Sequence, residues 1–171
     1  YTDCVYTGNN LSWTLASYIR MYQATKDRAY LVKFINHCIQ LQKNRWDERV
    51  PNFSPIWIRS SDDLCDGNQD QNEPAYFNSL LLYHMAEFVN IVINEPTQSL
   101  FNTNLPIIPN TSINVIDIST LNSMNPSFPI LTYGDFAIWL GGRVETSLVY
   151  FDNVYWLGDQ DGFRSNSTST S

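Results

Sequence analysis

The stretch LSWTLASYIRMYQATKDRAYLVKFINHCIQLQKN, residues 11–44, decides the fold. Its apolar residues recur every three or four positions, first from Leu11 to Ala24 and then, after a short polar turn, to about Asn44. This spacing puts the apolar side chains on one side of each helix. Asp27 in the turn is a plausible N-cap for the second helix. Because the connection is short, we predict two antiparallel neighbouring helices.

A third helix is predicted from Ala75 to Asn94, with Pro74 before it and Pro96 after it. Between the second and third helices, from Arg45 to Pro74, the helical periodicity stops. Proline and glycine punctuate this segment, while its two tryptophans and interleaved arginines argue against disorder. Loops of this length inside a domain are commonly functional, so we interpret the segment as a functional loop.

After Pro96 the periodicity weakens. The segments Ile113 to Ile118 and Phe128 to Tyr133 have the composition of short strands, among turn-forming residues. The segments 135–140 and 144–156 fit either a helix pair broken at Gly141-Gly142 or strands of a small sheet, and we favour helices. The polar tail, residues 165–171, is expected to be mobile.

These patterns predict one mainly α-helical domain over residues 1–171, built of antiparallel α-hairpins. Its C-terminal third is predicted to be irregular, and the segments Ile113 to Ile118 and Phe128 to Tyr133 are short strands or irregular chain. A chain of 171 residues with 43% apolar composition is long enough to bury a core.

The charge of the chain is acidic overall, with a net value of −7. Residues 1–59 carry eight Lys/Arg against four Asp/Glu, whereas residues 60–171 carry two against thirteen. A phosphate backbone requires a basic face, so nucleic acid is disfavoured as a partner. The longest apolar candidate, Leu80 to Ile93, is too short and interrupted for a membrane span.

The three cysteines, Cys4, Cys38 and Cys65, lack the spacing of a zinc site. Cys38 lies on an apolar helix face and is interpreted as a buried residue. If one disulfide forms, we expect it between Cys4 and Cys65. Four Asn-x-Ser/Thr acceptor patterns, at Asn10, Asn52, Asn110 and Asn166, give weak support for an extracellular or periplasmic location.

The helix pair at 11–44, a loop containing Pro55, Trp57 and Asp63, and the run YFNSLLLYHMAEFV at 76–89 carry a family resemblance. Together they resemble the six-hairpin (α/α) toroid proteins found among glycoside hydrolases, polysaccharide lyases and sugar epimerases. The resemblance covers roughly the first half of the chain. It implies a ring of α-hairpins that binds sugar in a cleft lined by aromatic and acidic loops. A complete toroid has more helices than this sequence predicts, so the resemblance implies a fragment or a smaller relative.

Carbohydrate binding uses flat apolar faces for sugar rings and planar polar groups for hydroxyls. The loop and the start of the third helix supply both, and the predicted substrate-binding residues are Trp46, Trp57, Arg59, Glu73 and Tyr76. The alternative for each tryptophan is that it covers the core beneath the loop.

Glycoside hydrolysis needs two carboxylates, one on each side of the scissile bond. Asp63 and Asp70 are the candidates because they lie nearest the aromatic and arginine-bearing parts of the loop. The alternative is that they are solvated surface acids.

A second catalytic candidate lies on the third helix, where Tyr76, Tyr83, His84 and Glu87 fall along one side. A lyase or epimerase would use Tyr83 or His84 to remove a proton next to a uronate carboxylate, with an arginine neutralising that carboxylate. The alternative is that Tyr83 and His84 form a hydrogen-bonded core pair.

We predict no cofactor, with calcium as the ion to test. Asp66, Asn68 and Asp70 begin a calcium-loop pattern, but Gln71 occupies its glycine position, so an EF-hand is excluded. The two histidines, His37 and His84, have no metal-ligand spacing.

From these residues we expect a carbohydrate-binding or carbohydrate-processing protein, of hydrolase or lyase type, whose partner is an oligosaccharide or polysaccharide. The alternative is a secreted, non-enzymatic structural or protein-interaction subunit that self-assembles through the same aromatic residues.

Overall fold

The computed structural model describes residues 7–49, 52, 54–57, 59–60, 69–70, 74–95, 97, 99–106, 115–125 and 127–155. Within these residues the chain is mainly helical, as predicted. The helices are α1 (Thr7–Thr25), α2 (Ala29–Lys43), α3 (Trp46–Arg49), α4 (Pro74–Ile93), α5 (Ile118–Met124) and α6 (Tyr133–Tyr155). Two short antiparallel strands, β1 (Arg59–Ser60) and β2 (Gln69–Asp70), lie between α3 and α4.

The predicted hairpin of α1 and α2 is confirmed. α1 ends because Lys26 adopts a left-handed conformation, with φ of 59°, while its N–H still bonds the Tyr22 carbonyl at 2.7 Å. Arg28, just before the assigned start of α2, already has helical dihedral angles, and it has no capping side-chain bond of its own. The Asp27 carboxylate accepts the Ala29 N–H at 2.9 Å, which is the bond that the predicted N-cap would make.

The buried residues of α2 match its predicted inward stripe, including Leu31, Phe34, Ile35, Cys38 and Ile39. Cys38 is a free, buried cysteine, and burial raises its pKa well above its ordinary value.

Side-chain contacts fix the directions of α1, α2 and α4. The Phe34 ring on α2 stacks on Phe88 of α4 at 4.7 Å, and the end of α2 lies near the start of α4, so these two helices are antiparallel. α1 therefore runs parallel to α4. The Phe88 ring also meets Phe136 of α6 at 5.7 Å. The core lies between these helices, and aromatic stacking contributes to it beyond simple burial.

The predicted break at Gly141-Gly142 is wrong, because α6 is continuous through both glycines. A Cβ at Gly141 would lie 3.6 Å from Val89 Cγ1 on α4. The first glycine therefore lies against α4 within an unbroken helix. Burial of one side of α6 offsets the cost of glycine in a helix interior, about 1 kcal/mol each.

The two segments after Pro96 are predicted to be short strands or irregular chain, and their described residues before α5 and α6 are irregular apart from one bridge. Ile118 begins α5, and Asn36 binds the preceding segment, donating to the Val115 carbonyl at 2.8 Å and accepting the Asp117 N–H at 3.2 Å. The second segment, 128–133, makes one isolated bridge, between Asn104 and Thr132. Side-chain bonds and single bridges thus take the place of strand pairing there.

α6 begins at a capping box that the sequence carries as Thr132-Tyr-Gly-Asp135. The Asp135 carboxylate accepts the Thr132 N–H at 2.9 Å, while the Thr132 hydroxyl accepts the Asp135 N–H at 3.0 Å. These reciprocal bonds satisfy backbone donors that a helix start leaves free. Partial burial acts to raise the pKa of Asp135, but the bonds from the Leu131 N–H and from Thr132 together leave that pKa below its ordinary value.

No helix in the described part of the chain combines the length and apolar character needed to cross a membrane.

Candidate functional site

Both tryptophans predicted to stack on sugar are buried by the protein itself. Trp46 lies at the start of α3 and is 9% exposed, and Trp57 is 8% exposed. The Trp57 indole N–H donates to the Leu41 carbonyl at 2.7 Å. In this arrangement neither ring offers an open face, so both serve as cover for the core, which was the alternative considered from the sequence.

Asn78, in the first turns of α4, fixes Trp57 in place. Its side-chain oxygen accepts the Trp57 N–H at 2.9 Å, and its side-chain nitrogen donates to the Trp57 carbonyl at 2.8 Å. The amide thus pairs with the backbone as a neighbouring strand would. These bonds hold the loop against the bundle.

Three of the other site residues predicted in or next to the loop lie in assigned helices or strands. Arg59 and Asp70 lie opposite each other in the β1–β2 pair, which brings their backbones together. Tyr76 lies in the first turn of α4. The remaining predicted residues lie outside the described residues, and they are Asp63 and Glu73, the disulfide pair Cys4 and Cys65, and the calcium candidates Asp66 and Asn68.

A buried charge network joins the end of α2 to α6, and the sequence reading missed it. Arg45 is 1% exposed and binds both carboxylate oxygens of Asp47 at 2.7 Å. It also donates to the Arg143 carbonyl at 3.0 Å. The Arg143 side chain forms an ion pair with Glu48. The sequence offers only one signal, the dense charges of RWDER at 45–49, and it does not reveal the partner almost 100 residues away.

The Arg143 pKa is lowered to about 10. Burial is the main cause, and the positive charge of Arg45 adds to it, while Asp47 opposes the shift. Arg143 also lies over the Trp139 ring, 5.6 Å from its centroid. Because the charges of this network are already paired with one another, we assign it to stability.

The polar side chains predicted on α4 meet α1 at the surface. Glu87 forms an ion pair with Arg20 of α1, and its second oxygen lies 3.3 Å from His84 Nδ1. The Tyr83 ring meets the His84 ring edge-on at 5.1 Å. The structure therefore brings Tyr83, His84 and Glu87 together, and it adds Arg20, which the sequence did not identify.

Two exposed aromatic side chains border this cluster. Tyr83 is 61% exposed and Trp13 is 69% exposed. Trp13 lies seven residues before Arg20 on α1, and Tyr83 lies four before Glu87 on α4, so each shares a helix face with one member of the ion pair. Since the helices are parallel, both aromatics lie on the same side of that ion pair along the bundle. We call this surface, comprising Trp13, Arg20, Tyr83, His84 and Glu87, the α1–α4 groove.

The α1–α4 groove combines flat apolar faces with planar hydrogen-bonding groups. Glu87 and His84 are mostly buried, with side chains 16% and 13% exposed, whereas Arg20 reaches solvent. The Glu87 carboxylate orients the His84 imidazole from one ring nitrogen, which is the arrangement of a positioned base. In the described part of the chain, no group of His, Cys, Asp and Glu side chains is arranged to hold a metal ion.

Comparison with protein families, curated proteins and solved structures gives no match for this chain. Function must therefore be inferred from the residues themselves, and the α1–α4 groove is the strongest candidate.

Proposed function

We propose that this protein binds a carbohydrate in the α1–α4 groove. The supporting observations are that Trp13 and Tyr83 are exposed, and that Tyr83 contacts the cluster of Arg20, His84 and Glu87. Trp13 lies on the same helix face as Arg20. Sugar rings present a C–H face that stacks on aromatic rings, and hydroxyls that bond to planar charged groups. A surface that holds two exposed aromatic side chains offers apolar area that a ligand can cover.

We infer further that α1/α2 and α4/α6 are hairpins of the (α/α) toroid type. α1 and α2 are antiparallel. Ser147 of α6 donates to the Pro55 carbonyl, close to where Trp57 bonds Asn78 at the start of α4, so α4 and α6 are antiparallel as well. Both directions agree with that arrangement. We expected the loop at 45–73 to bind the sugar, but Trp46 and Trp57 are buried against the core. In this proposal the α1–α4 groove binds the sugar instead.

The chemistry that the groove favours, if the protein is an enzyme, is proton abstraction from a uronate. His84 would take the proton beside the carboxylate, and Arg20 would neutralise that carboxylate. The electron pair would form the double bond of the product as the glycosidic C–O bond breaks, and Tyr83 would protonate the leaving oxygen. Hydrolysis is less well supported, since it needs two carboxylates and Glu87 is the one acid in the groove as we define it.

Binding is tested with a glycan array of neutral and uronate-containing oligosaccharides, followed by calorimetry on the hits. We expect Trp13→Ala and Tyr83→Ala each to weaken binding by about tenfold or more, since stacking of a ring contributes on the order of 1–2 kcal/mol. Phe128→Ala is the matched control, because Phe128 is an exposed aromatic residue outside the groove. Full binding by both groove variants would exclude the groove, and no binding to any glycan would reject the proposal.

Catalysis is tested separately, by following the absorbance of unsaturated uronate product from a polyuronate. We expect His84→Gln to abolish turnover while keeping polyuronate binding within about threefold, because glutamine retains a polar side chain but cannot act as a base. Unchanged turnover in this variant would overturn the assignment of His84 as the base.

A further inference from the structure

The outward side of α6 exposes an apolar surface that lies apart from the α1–α4 groove. Ile138, Leu148 and Val149 are each more than half exposed, and a Cβ at Gly142 would meet nothing within 4 Å. Ile138, Gly142 and Val149 share one side of the helix by their spacing, and Leu148 flanks them. The stripe extends about 16 Å along the helix axis. We call it the outer α6 face.

The charges on the outer α6 face are negative. Glu145 and Asp152 are exposed and occupy the same helical positions as the apolar stripe. The one basic residue of α6, Arg143, is largely buried and forms an ion pair with Glu48. Among the described residues, no ion pair involves Glu145 or Asp152, so this face combines aliphatic side chains with acidic ones.

The inner side of α6 shows how a helix packs against such a surface. Gly141 lies against α4, where an added Cβ would be in ordinary van der Waals contact with the aliphatic side chain of Val89. Gly142, the next residue, faces open space on the outer side, where an added Cβ would meet no atom within 4 Å. A helix that places one aliphatic side chain over Gly142 could approach α6 closely.

Charge determines which helix fits. A second copy that docked through its own outer α6 face would bring two acidic faces together, and the chain as a whole carries a net charge of −7. We propose that the outer α6 face binds an amphipathic α-helix of a partner protein, with an aliphatic stripe flanked by lysine and arginine. The aliphatic stripe packs over Gly142, and the basic residues pair with Glu145 and Asp152.

The test uses two fluorescein-labelled helical peptides of about 20 residues, enough to cover the stripe. Both carry the same leucine stripe, flanked by lysine in one peptide and by glutamate in the other. In anisotropy titrations with the full chain, we expect saturable binding of the lysine peptide and binding at least about tenfold weaker for the glutamate peptide. Equal affinities, or no saturable binding of the lysine peptide to about 1 mM, would overturn the proposal.

Val149→Asp separates docking from general attraction between an acidic protein and a basic peptide. The substitution makes the chain more acidic, so general attraction predicts tighter binding of the lysine peptide. Docking on the outer α6 face predicts binding weaker by about tenfold, because a charge replaces a contact in the apolar stripe. Phe128→Ala is the control, and it should bind as the unaltered chain does. Tighter or unchanged binding by Val149→Asp would overturn the proposal.

Sedimentation velocity of the full chain tests the competing occupant. We expect the chain to form no concentration-dependent dimer through this face. A dimer that Val149→Asp abolishes would show that a second copy covers the face and would overturn the proposal.

Discussion

Single side chains fix the irregular parts of this molecule to its helices. Asn78 pairs with both backbone groups of Trp57. Asn36 likewise binds one carbonyl and one N–H of the segment before α5, those of Val115 and Asp117. Because buried backbone groups must be hydrogen-bonded, each amide replaces a strand neighbour that the loop lacks. Such residues show no pattern in the sequence, since asparagine is common in loops and helices alike.

Asn78→Ala is expected to lower the free energy of unfolding by about 3 kcal/mol, because it leaves the N–H and C=O of Trp57 buried without partners. Urea denaturation followed by tryptophan fluorescence measures this change. Asn90→Ala, at an exposed position of the same helix, is the control and should change stability by less than about 0.5 kcal/mol. Equal effects of the two substitutions would contradict the role given to Asn78.

Asp117 links the stability of α5 to pH. Its carboxylate accepts bonds from the Thr120 N–H and the Ser119 hydroxyl. Its pKa lies below the ordinary value of 3.8, chiefly because of the Thr120 side chain and then of the Thr120 N–H. A lowered pKa in the folded state stabilises the protein above the unfolded-state pKa. That contribution is lost as the pH falls through the folded-state pKa.

We expect Asp117→Asn to be less stable than the unaltered chain at pH 7 by about 0.5 kcal/mol, because the negative charge at the helix start is lost while a capping oxygen remains. The difference should shrink as the pH is lowered below about 4. Thermal unfolding of both proteins from pH 7 to pH 3 measures it. A difference that stays constant over this range would refute the linkage.

At the scale of the elements, the packing of α6 depends on where its glycines lie. Gly134, in the first turn of α6, lies so close to Phe101 that an added Cβ would be 2.7 Å from the Phe101 carbonyl oxygen. Gly141 faces α4, and Gly142 faces open space. One residue type thus has three different roles in one helix, and only the neighbouring elements distinguish them.

Gly134→Ala and Gly142→Ala should have opposite effects. The first creates a clash with the Phe101 backbone and should cost about 1–3 kcal/mol. The second meets no atom and should raise stability by about 0.5–1 kcal/mol, because alanine favours the helix. Chemical denaturation of the pair gives both values. If Gly134→Ala were as stable as Gly142→Ala, the close contact between Gly134 and Phe101 at the start of α6 would be contradicted.

At the scale of the whole molecule, two features join elements that are distant in sequence. The aromatic core of Phe34, Phe88 and Phe136 connects α2, α4 and α6. The Arg45 network then holds the end of α2 to α6 by charged hydrogen bonds. Removing one partner from a buried ion pair leaves the others desolvated, so the network is costly to disrupt.

Arg45→Met should reduce the free energy of unfolding by about 3 kcal/mol, because Asp47 and the Arg143 carbonyl lose their buried partner. Lys43→Met, at an exposed site in the last turn of α2, is the control and should have an effect within about 0.5 kcal/mol. Guanidinium denaturation measures both. A cost below that of the control substitution would show that the network is not structural.

The sequence alone determined the mainly helical class, the α1/α2 hairpin and the helix start near Pro74, because these depend on local periodicity and capping. Periodicity also predicted the buried stripe of α2 and the polar side of α4. It could not show that Trp57 is core or that Arg20 and Trp13 border the same groove as Tyr83. Those facts depend on contacts between residues tens of positions apart, which only tertiary packing brings together. The continuity of α6 was decided the same way, since contact with α4 offset the helix-breaking tendency of its glycines.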